Sequence, residues 1–513
     1  MTDAADVVVV GGGHNALVCA AYLAEAGLEV VVLEARDVLG GDTVTEELTL
    51  PGWRHDSCAS AHVVLQSNPL VRDDELGLLS RYGLRYVHTD PAFVMPLEDD
   101  AVVVHRDLDA TAAELGRWSP EDAVALQRMM AEWSDGLGAA HARWSAGLPP
   151  GEDDASRRYE ALRSRSAWEV VHATFTHPVA RAFATWLAFA TIQPPERPGT
   201  GALPAALTNG RLTYGWTTPV GGSGALPSAL AAHLADHGGR VLTEAEVSCL
   251  VTASARVTGV RTVDGRVFHA RSAVVSSAHL ASLPAMLDPV PDDVARAASA
   301  WRPGLALFAV HLALRGDVRY RGRDGPLRAA AGALGSPEGL RRQVSGCLAG
   351  RAEVDDPWLL VASPTPVDPG RAPDGGGIAK LLTPAPARLT RGRAWSEDTT
   401  EAYAECLIAH VRERVDGLDP DDVLGVVAES PDGLARRNPH NLEGSCHGGE
   451  FDLGARGVLP GWPSPRTSVP GLYLTGATTH PGGSVSGRPG RNSARCVLGD
   501  LGIDPETVMA GYT

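Results

Sequence analysis

The opening of the chain constrains its fold more than any other stretch. Asp6–Val10 is a short β-branched run, suited to a strand buried on both faces, and Gly11-Gly12-Gly13 breaks it. Asn15–Ala26 then has helical composition and is closed by Gly27, where a left-handed cap fits. Leu28–Leu33 reads as a second parallel strand that ends at Glu34. The turn spells Gly11-x-Gly13-x-x-Ala16, and Glu34 stands eighteen residues after Ala16. Each residue type answers a demand: Gly11 allows the tight turn, Gly13 lets backbone approach a pyrophosphate, and Ala16 lets helix and strand pack. The helix N-terminus adds free N–H groups and positive partial charge. Glu34 is placed to accept the hydroxyl protons of an adenosine ribose and to repel a 2′-phosphate. The pattern is weak alone, but between strand, helix and strand and with the acid it predicts a dinucleotide site. The turn and the acid fit NAD and FAD alike.

Composition excludes several classes. Of 513 residues, 44% are hydrophobic and 21% charged, an ordinary globular balance that rules out a disordered or fibrous chain. The formal net charge of -17 repels phosphate backbones and acidic lipid, so no nucleic-acid partner is expected. No apolar run approaches the ~20 residues of a membrane span. Asp3 and Asp6 stand where a signal peptide would carry positive charge, so a cytoplasmic protein is expected. The seven cysteines are scattered, odd in number and without a C-x-x-C pair. They read as reduced thiols, with no metal site.

Farther along, residues 108–190 read as helical and carry Trp118, Trp133, Trp144, Trp168 and Trp186. Gln193–Gly224 is Pro/Gly-rich, Ala225–His237 a helix and Arg240–Glu246 a strand. Val257–Val263 and Arg266–Val275 form an expected hairpin about Asp264-Gly265. Leu305–Leu314 and Trp358–Ala362 read as strands and Thr400–Val415 as a helix. Gly471–Gly476 is a last buried strand, followed by a Gly-rich loop and a helix over Arg491–Leu501.

Several blocks carry a family likeness. Gly40-Gly41 follows Glu34, and the opening GGGHNALVCAAYLAEAG, VLEARDVLGGDTVTEEL and PGWRHDSCASAH resembles phytoene desaturase and carotenoid isomerase-like flavoproteins, in their bacterial G-x-G-H-N branch. The likeness resumes at Gly221–Leu226, at Ser430–Gly449 (SPDGLARRNPHNLEGSCHGG) and at Leu472–Ala494. It implies an α/β fold: a doubly wound, Rossmann-type, glutathione-reductase-like FAD domain with a second, α+β substrate domain. It also implies non-covalent FAD held by Gly11, Gly13, His14, Asn15 and Ala16 at the turn and by Glu34 and Ala35 beyond it. Further contacts are implied at Gly40, Gly41, Asp42 and Thr43, at Val247 as a backbone contact to adenine, and at Gly476, Gly482, Gly483, Ser484 and Val485. That last segment is sensible unaided, because Gly482-Gly483 admit a flat ring. The helix beyond would stabilise negative charge on a reduced flavin by roughly 0.3–2 kcal/mol. The chain departs from the wider family at Asp42, where Arg or Lys is usual, and Asp42 is expected to face solvent. Ala477 replaces an acid that holds ribitol in disulfide reductases.

With no second glycine-rich nucleotide loop, NAD(P)H is not an expected reductant; dioxygen or a quinone would reoxidise the flavin. Flavin dehydrogenation asks the protein for a C–H held about 3–3.5 Å from the acceptor, and a base where a proton also leaves. His447, between Cys446 and Gly448, is the candidate catalytic group, read either as facing the substrate or as bonded to loop backbone. His480 is expected to hold the flavin loop. His55-Asp56 and His62 form a polar cluster, with His62 a candidate for the substrate cavity alongside Tyr214 and Trp216. Lys380, the chain's single lysine, is a weaker catalytic candidate by analogy with amine oxidases, and reads more simply as a solvated strand residue.

The expected division is an FAD domain from 1–75, 220–290 and 455–513, and a substrate domain from 76–219 and 291–454. The expected activity is FAD-dependent dehydrogenation of a C–C or C–N bond in an apolar or cyclic small molecule, free or carrier-tethered, as a biosynthetic tailoring step. The alternatives are a redox-neutral double-bond isomerase, an amine oxidase and a non-catalytic flavin-binding protein. Five tryptophans in the helical segment, with few paired arginines on the motif loops facing the flavin, predict an apolar or weakly polar ligand.

Overall fold

The computed structural model describes residues 3–450 and 465–510. The parts of the expected domains at 1–2, 451–464 and 511–513 lie outside the described residues.

The first sheet has the order Val247–Ala253, Arg256–Thr262, Val267–Ser276, Asp3–Val10, Val30–Leu33, Arg240–Leu242, with Leu472–Leu474 beside Val267–Ser276. Asp3–Val10 pairs in parallel with Val267–Ser276 on one side (Val8↔Val274) and with Val30–Leu33 on the other (Val8↔Val31). The valine run explains this central place. Val7 and Val9 pack with the helix His14–Glu25, while Val8 and Val10 pack with Leu250, Val260 and Trp301 on the opposite face. Both faces are therefore dry, as a parallel strand requires. The helix His14–Glu25 is sandwiched between Arg488–Asp500 and Ala225–Asp236.

The expected hairpin is present, with Val260 opposite Phe268. The strand expected over 240–246 stops at Leu242, and a separate strand, Val247–Ala253, pairs antiparallel with Arg256–Thr262. It is largely solvent-facing, so it carries little of the apolar patterning that marks a strand.

The second sheet runs Val423–Glu429, Ala306–Leu314, Gly377–Ala385, Leu359–Ala362, Ala331–Leu334, Phe93–Pro96, Ala101–Val104. Helices between Leu108 and Phe189 cover one face through Phe183, Trp186 and Leu187. The helix Glu397–Arg412 covers the other through Tyr403 and Leu407. The Pro/Gly-rich stretch holds an unexpected helix, Leu203–Tyr214. Its proline lies in the first turn, where a missing N–H costs nothing. Among the described residues no helix is long and apolar enough to cross a membrane.

Candidate active site

A cavity of about 920 Å³ runs along the carboxyl ends of the first sheet's parallel strands and into the space between the two sheets. At one end stands Glu34, 8% exposed. Its Oε2 accepts from the Gly12 N–H at 2.5 Å and its Oε1 from the Arg36 N–H at 2.8 Å, which pins the carboxylate on the wall. Ala35 and Val247 line the same end.

Next comes the glycine turn. Gly11 has φ +91°, and a Cβ there would overlap Ser277 Oγ, which donates to the Val10 carbonyl at 2.8 Å. Gly13 differs: φ is −66°, and a Cβ would meet nothing within 4 Å. The protein itself does not need a glycine at 13; the open space before it does. No side chain caps the following helix and its first turn holds no acid, so, apart from the His14 N–H, which donates to the Gly40 carbonyl at 3.3 Å, its first N–H groups are offered to an anion. His14, Asn15 and Ala16 line the wall here with Gly40 and Gly41.

Farther in, Asp42, Gly476, Gly483, Ser484, Val485, His440 and His447 meet. Asp42 was expected in solvent. Instead its Oδ1 accepts from Asn438 Nδ2 and Asn441 Nδ2, both at 2.9 Å, tying the paired glycines to the Ser430–Gly449 block. His447 is set by close backbone contact: a Cβ at Gly483 would overlap the His447 carbonyl, and one at Gly448 the Ala477 carbonyl. Burial pushes the imidazole down to about 4 against the opposing pull of Asp42, so His447 is neutral at pH 7. Burial likewise brings His14 to about 4. His14 Nε2, Asn15 Oδ1, His440 Nε2 and His447 Nδ1 are buried atoms with no protein partner. Buried polar atoms are rarely left so, and here they border one cavity. They fit a cofactor whose ring carries its own donors and acceptors, so the residues present fit FAD.

Several expected residues lie elsewhere. Thr43 is fully buried off the wall, donating to the Gly40 carbonyl at 2.8 Å, and so shapes the turn from behind. Gly482 also lies off the wall, its N–H on the Thr479 carbonyl at 2.7 Å. His62 is not on the cavity: Tyr86 Oη lies 3.1 Å from its Nδ1 and Ser223 Oγ 3.1 Å from its Nε2, with burial driving it down to about 3. Lys380 is no solvated strand residue. It is 4% exposed, and its Nζ donates to the carbonyls of Cys58 and, at 3.2 Å, Asp56. Asp56 in turn pairs with the fully buried Arg371 at 3.1 Å. Burial raises Asp56 and Arg371 lowers it, and the net direction is down. His480 Nε2 lies 2.6 Å from the Trp144 carbonyl and so joins the Gly-rich loop to the helical layer.

Sequence reasoning missed Ser277, His279, His440, Cys58 and Arg211 on the wall. His440 and Cys58 were in quoted blocks without a role; the others had no local signal. The sequence predicted no metal site, yet Asp42, Cys58 and Cys446 bring ligand-type atoms within 4.8 Å of one another. The Cys58 hydrogen bond and burial both raise the Cys446 thiol, which opposes the thiolate a metal would need.

The wall also carries Trp133, Trp144, Trp186, Tyr214, Trp216 and Trp358, with Trp186 stacked on Trp358 at 5.2 Å; this aromatic part of the cavity is its tryptophan lobe. Trp118 and Trp168, also in the helical segment, instead lie under Arg117 and Arg341.

Residues 17–498 match the family model described as flavin containing amine oxidoreductase. The chain belongs to that family. It is therefore an FAD-dependent oxidoreductase that takes a small-molecule substrate and an electron acceptor. Among its relatives, a polypeptide of the limonene dehydrogenase of Castellaniella defragrans is 27% identical, covering 98% of this chain and 97% of that one. Mouse pyridine nucleotide-disulfide oxidoreductase domain-containing protein 2 is 28% identical over 97% and 94%. The lycopene-forming phytoene desaturase of Pseudescherichia vulneris is 25% identical over 94% and 96%. An engineered putrescine oxidase has the same fold, with a TM-score of 0.62 at 16% identity over 98% of this chain and 99% of that one.

Proposed function

We propose that the chain dehydrogenates a C–C or C–N bond in a small, largely apolar or cyclic molecule seated in the tryptophan lobe. The observation that carries this reading is that the lobe is continuous with the groove of the glycine turn, in one cavity. Relatives whose names include limonene dehydrogenase, phytoene desaturase and hydroxyneurosporene desaturase support a hydrocarbon-like substrate. FAD, when bound, supplies the acceptor for a hydride equivalent. In this reading Glu34 and Val247 hold the adenosine end, and Gly13 with the uncapped helix holds the pyrophosphate. His14, His440, His447 and Gly483–Val485 hold the ring. His447, neutral and on the wall, is the group that takes a proton where one must leave with the hydride. The described parts of 1–75, 220–290 and 455–513 form the cofactor domain and the other described residues the substrate domain. Dioxygen or a quinone reoxidises the protein, and the substrate is free or carrier-tethered.

Anaerobic mixing of the yellow protein with cyclic and acyclic terpenes and with primary amines tests the reading. Bleaching by a terpene-like compound supports it. Bleaching by amines alone would transfer the chain to the amine oxidases, and product without net bleaching would make it an isomerase.

A further inference from the structure

Few paired arginines were expected to face the flavin, and an apolar or weakly polar ligand with them; the cavity wall nevertheless holds a buried cation. Arg211 lies in the last turn of the helix Leu203–Tyr214, is 9% exposed, and lines the cavity. Its guanidinium carbon sits 4.4 Å from the centre of the Trp216 ring, within cation–π reach. Its Nε and Nη1 are buried and have no hydrogen-bond partner.

Of the other arginines of the wall, Arg36, at the adenosine end, pairs with Glu46 at 3.7 Å although its Nη1 is also buried without a hydrogen-bond partner, and Arg436 is exposed. Arg72 is held by Asp73 at 2.8 and 2.5 Å, Arg437 by Glu429 and Glu46, and Arg488 donates to the Ser67 carbonyl at 3.0 Å. The acids of the wall among the described residues are Glu34, Asp42 and Glu246. Glu34 and Glu246 belong to the adenosine end, and Asp42 is engaged by its two asparagines. Burial alone moves Arg211, down to about 9, and no neighbouring charge pulls it back. It is still a cation at neutral pH. A buried cation whose Nε and Nη1 meet no acceptor on the protein is costly to keep, and a guanidinium is matched by a carboxylate, which can bond one of these nitrogens together with Nη2.

We propose that Arg211 is an anion-binding subsite of the substrate lobe, and that the substrate is an apolar molecule bearing a carboxylate. The acid group would anchor one end on Arg211 while the tryptophans hold the hydrocarbon part, which sets which carbon reaches the cofactor. This rests on the reading of the tryptophan lobe as the substrate site, but it can fail separately, because its test uses saturated acids that undergo no turnover.

The test is calorimetric titration of the flavin-loaded protein with octanoate and 4-phenylbutyrate, each against its neutral amide, with tryptophan fluorescence recorded alongside. Each acid is expected to bind about tenfold or more tighter than its amide, as charge-assisted bidentate bonds allow. Arg211→Met, matched for length and apolar, should erase that preference while retaining flavin. Arg211→Lys should keep part of it. Equal affinity for acid and amide, no binding of either, or a preference that survives in flavin-loaded Arg211→Met would overturn the proposal. If Arg211→Met does not fold, the wild-type comparison and Arg211→Lys decide alone. A protein that binds the acids through Arg211 yet is bleached by no candidate substrate would keep the subsite and lose the dehydrogenase reading.

Discussion

Two neighbouring glycines of the turn serve different masters, and substituting each with valine separates them. At Gly13 the backbone (φ −66°, ψ 157°) is extended, and a Cβ has nothing within 4 Å. Valine restricts the unfolded chain, which favours folding by ~0.4–1 kcal/mol. It is also a poorer helix N-cap than glycine, at a cost of about 1 kcal/mol. The two nearly offset, so cofactor-free Gly13→Val should match cofactor-free wild type within about 1 kcal/mol. Its branched side chain fills the path of a pyrophosphate, so the gain from ligand should vanish. For the wild type that gain is RT ln(1 + [FAD]/Kd), about 2.7 kcal/mol at a hundredfold excess over Kd. At Gly11 the backbone is left-handed at φ +91°, and a Cβ would overlap Ser277 Oγ. Gly11→Val should therefore lose about 1–3 kcal/mol with or without FAD. Urea unfolding of stripped and reconstituted protein measures both, with bound flavin quantified by absorbance. A Gly13→Val protein that keeps its flavin, or that is as unstable without cofactor as Gly11→Val, would refute the argument.

Three further outcomes follow from the site. His447→Ala should lower turnover more than flavin content, and wild-type turnover should show no step near pH 6.5, since His447 titrates near 4; a sharp loss between pH 7 and 6 that disappears in His447→Ala would contradict this. Lys380→Met leaves the Cys58 and Asp56 carbonyls without their donor, so it should destabilise the fold by ~1–3 kcal/mol while flavin stays bound; unchanged urea midpoints would contradict the buried placement. His14, His62, His141, His279 and His447 are all pushed by burial from 6.5 to about 3–4. The unfolded chain binds those protons first, so their contribution is full above about pH 6.5 and is lost as pH falls toward 4; a urea midpoint flat from pH 7 to 5 would contradict it.

The cofactor half of the site was legible because its signals are local. Gly11, Gly13, Ala16 and Glu34 lie on one strand–turn–helix–strand unit, and their chemistry follows from the order of the residues. The substrate half was not. Arg211 lies on a helix hidden in a stretch whose prolines and glycines read as loop, and its lack of a partner depends on which distant walls close around it. Lys380 looks like a solvated strand residue until the Cys58 segment is laid across it. Asp42 was assigned to solvent by comparison with a usual cation, whereas its partners, Asn438 and Asn441, lie almost four hundred residues away. The strand Val247–Ala253 escaped for the opposite reason: it buries too little to show a pattern.

The most direct test of the account is a single anaerobic turnover with a bleaching substrate, followed by the mass of the product. The account expects one product per bleached flavin, two hydrogens lighter than the substrate, with bleaching slowed in His447→Ala protein of equal flavin content. A product of unchanged mass, or bleaching that leaves the small molecule intact, would contradict it.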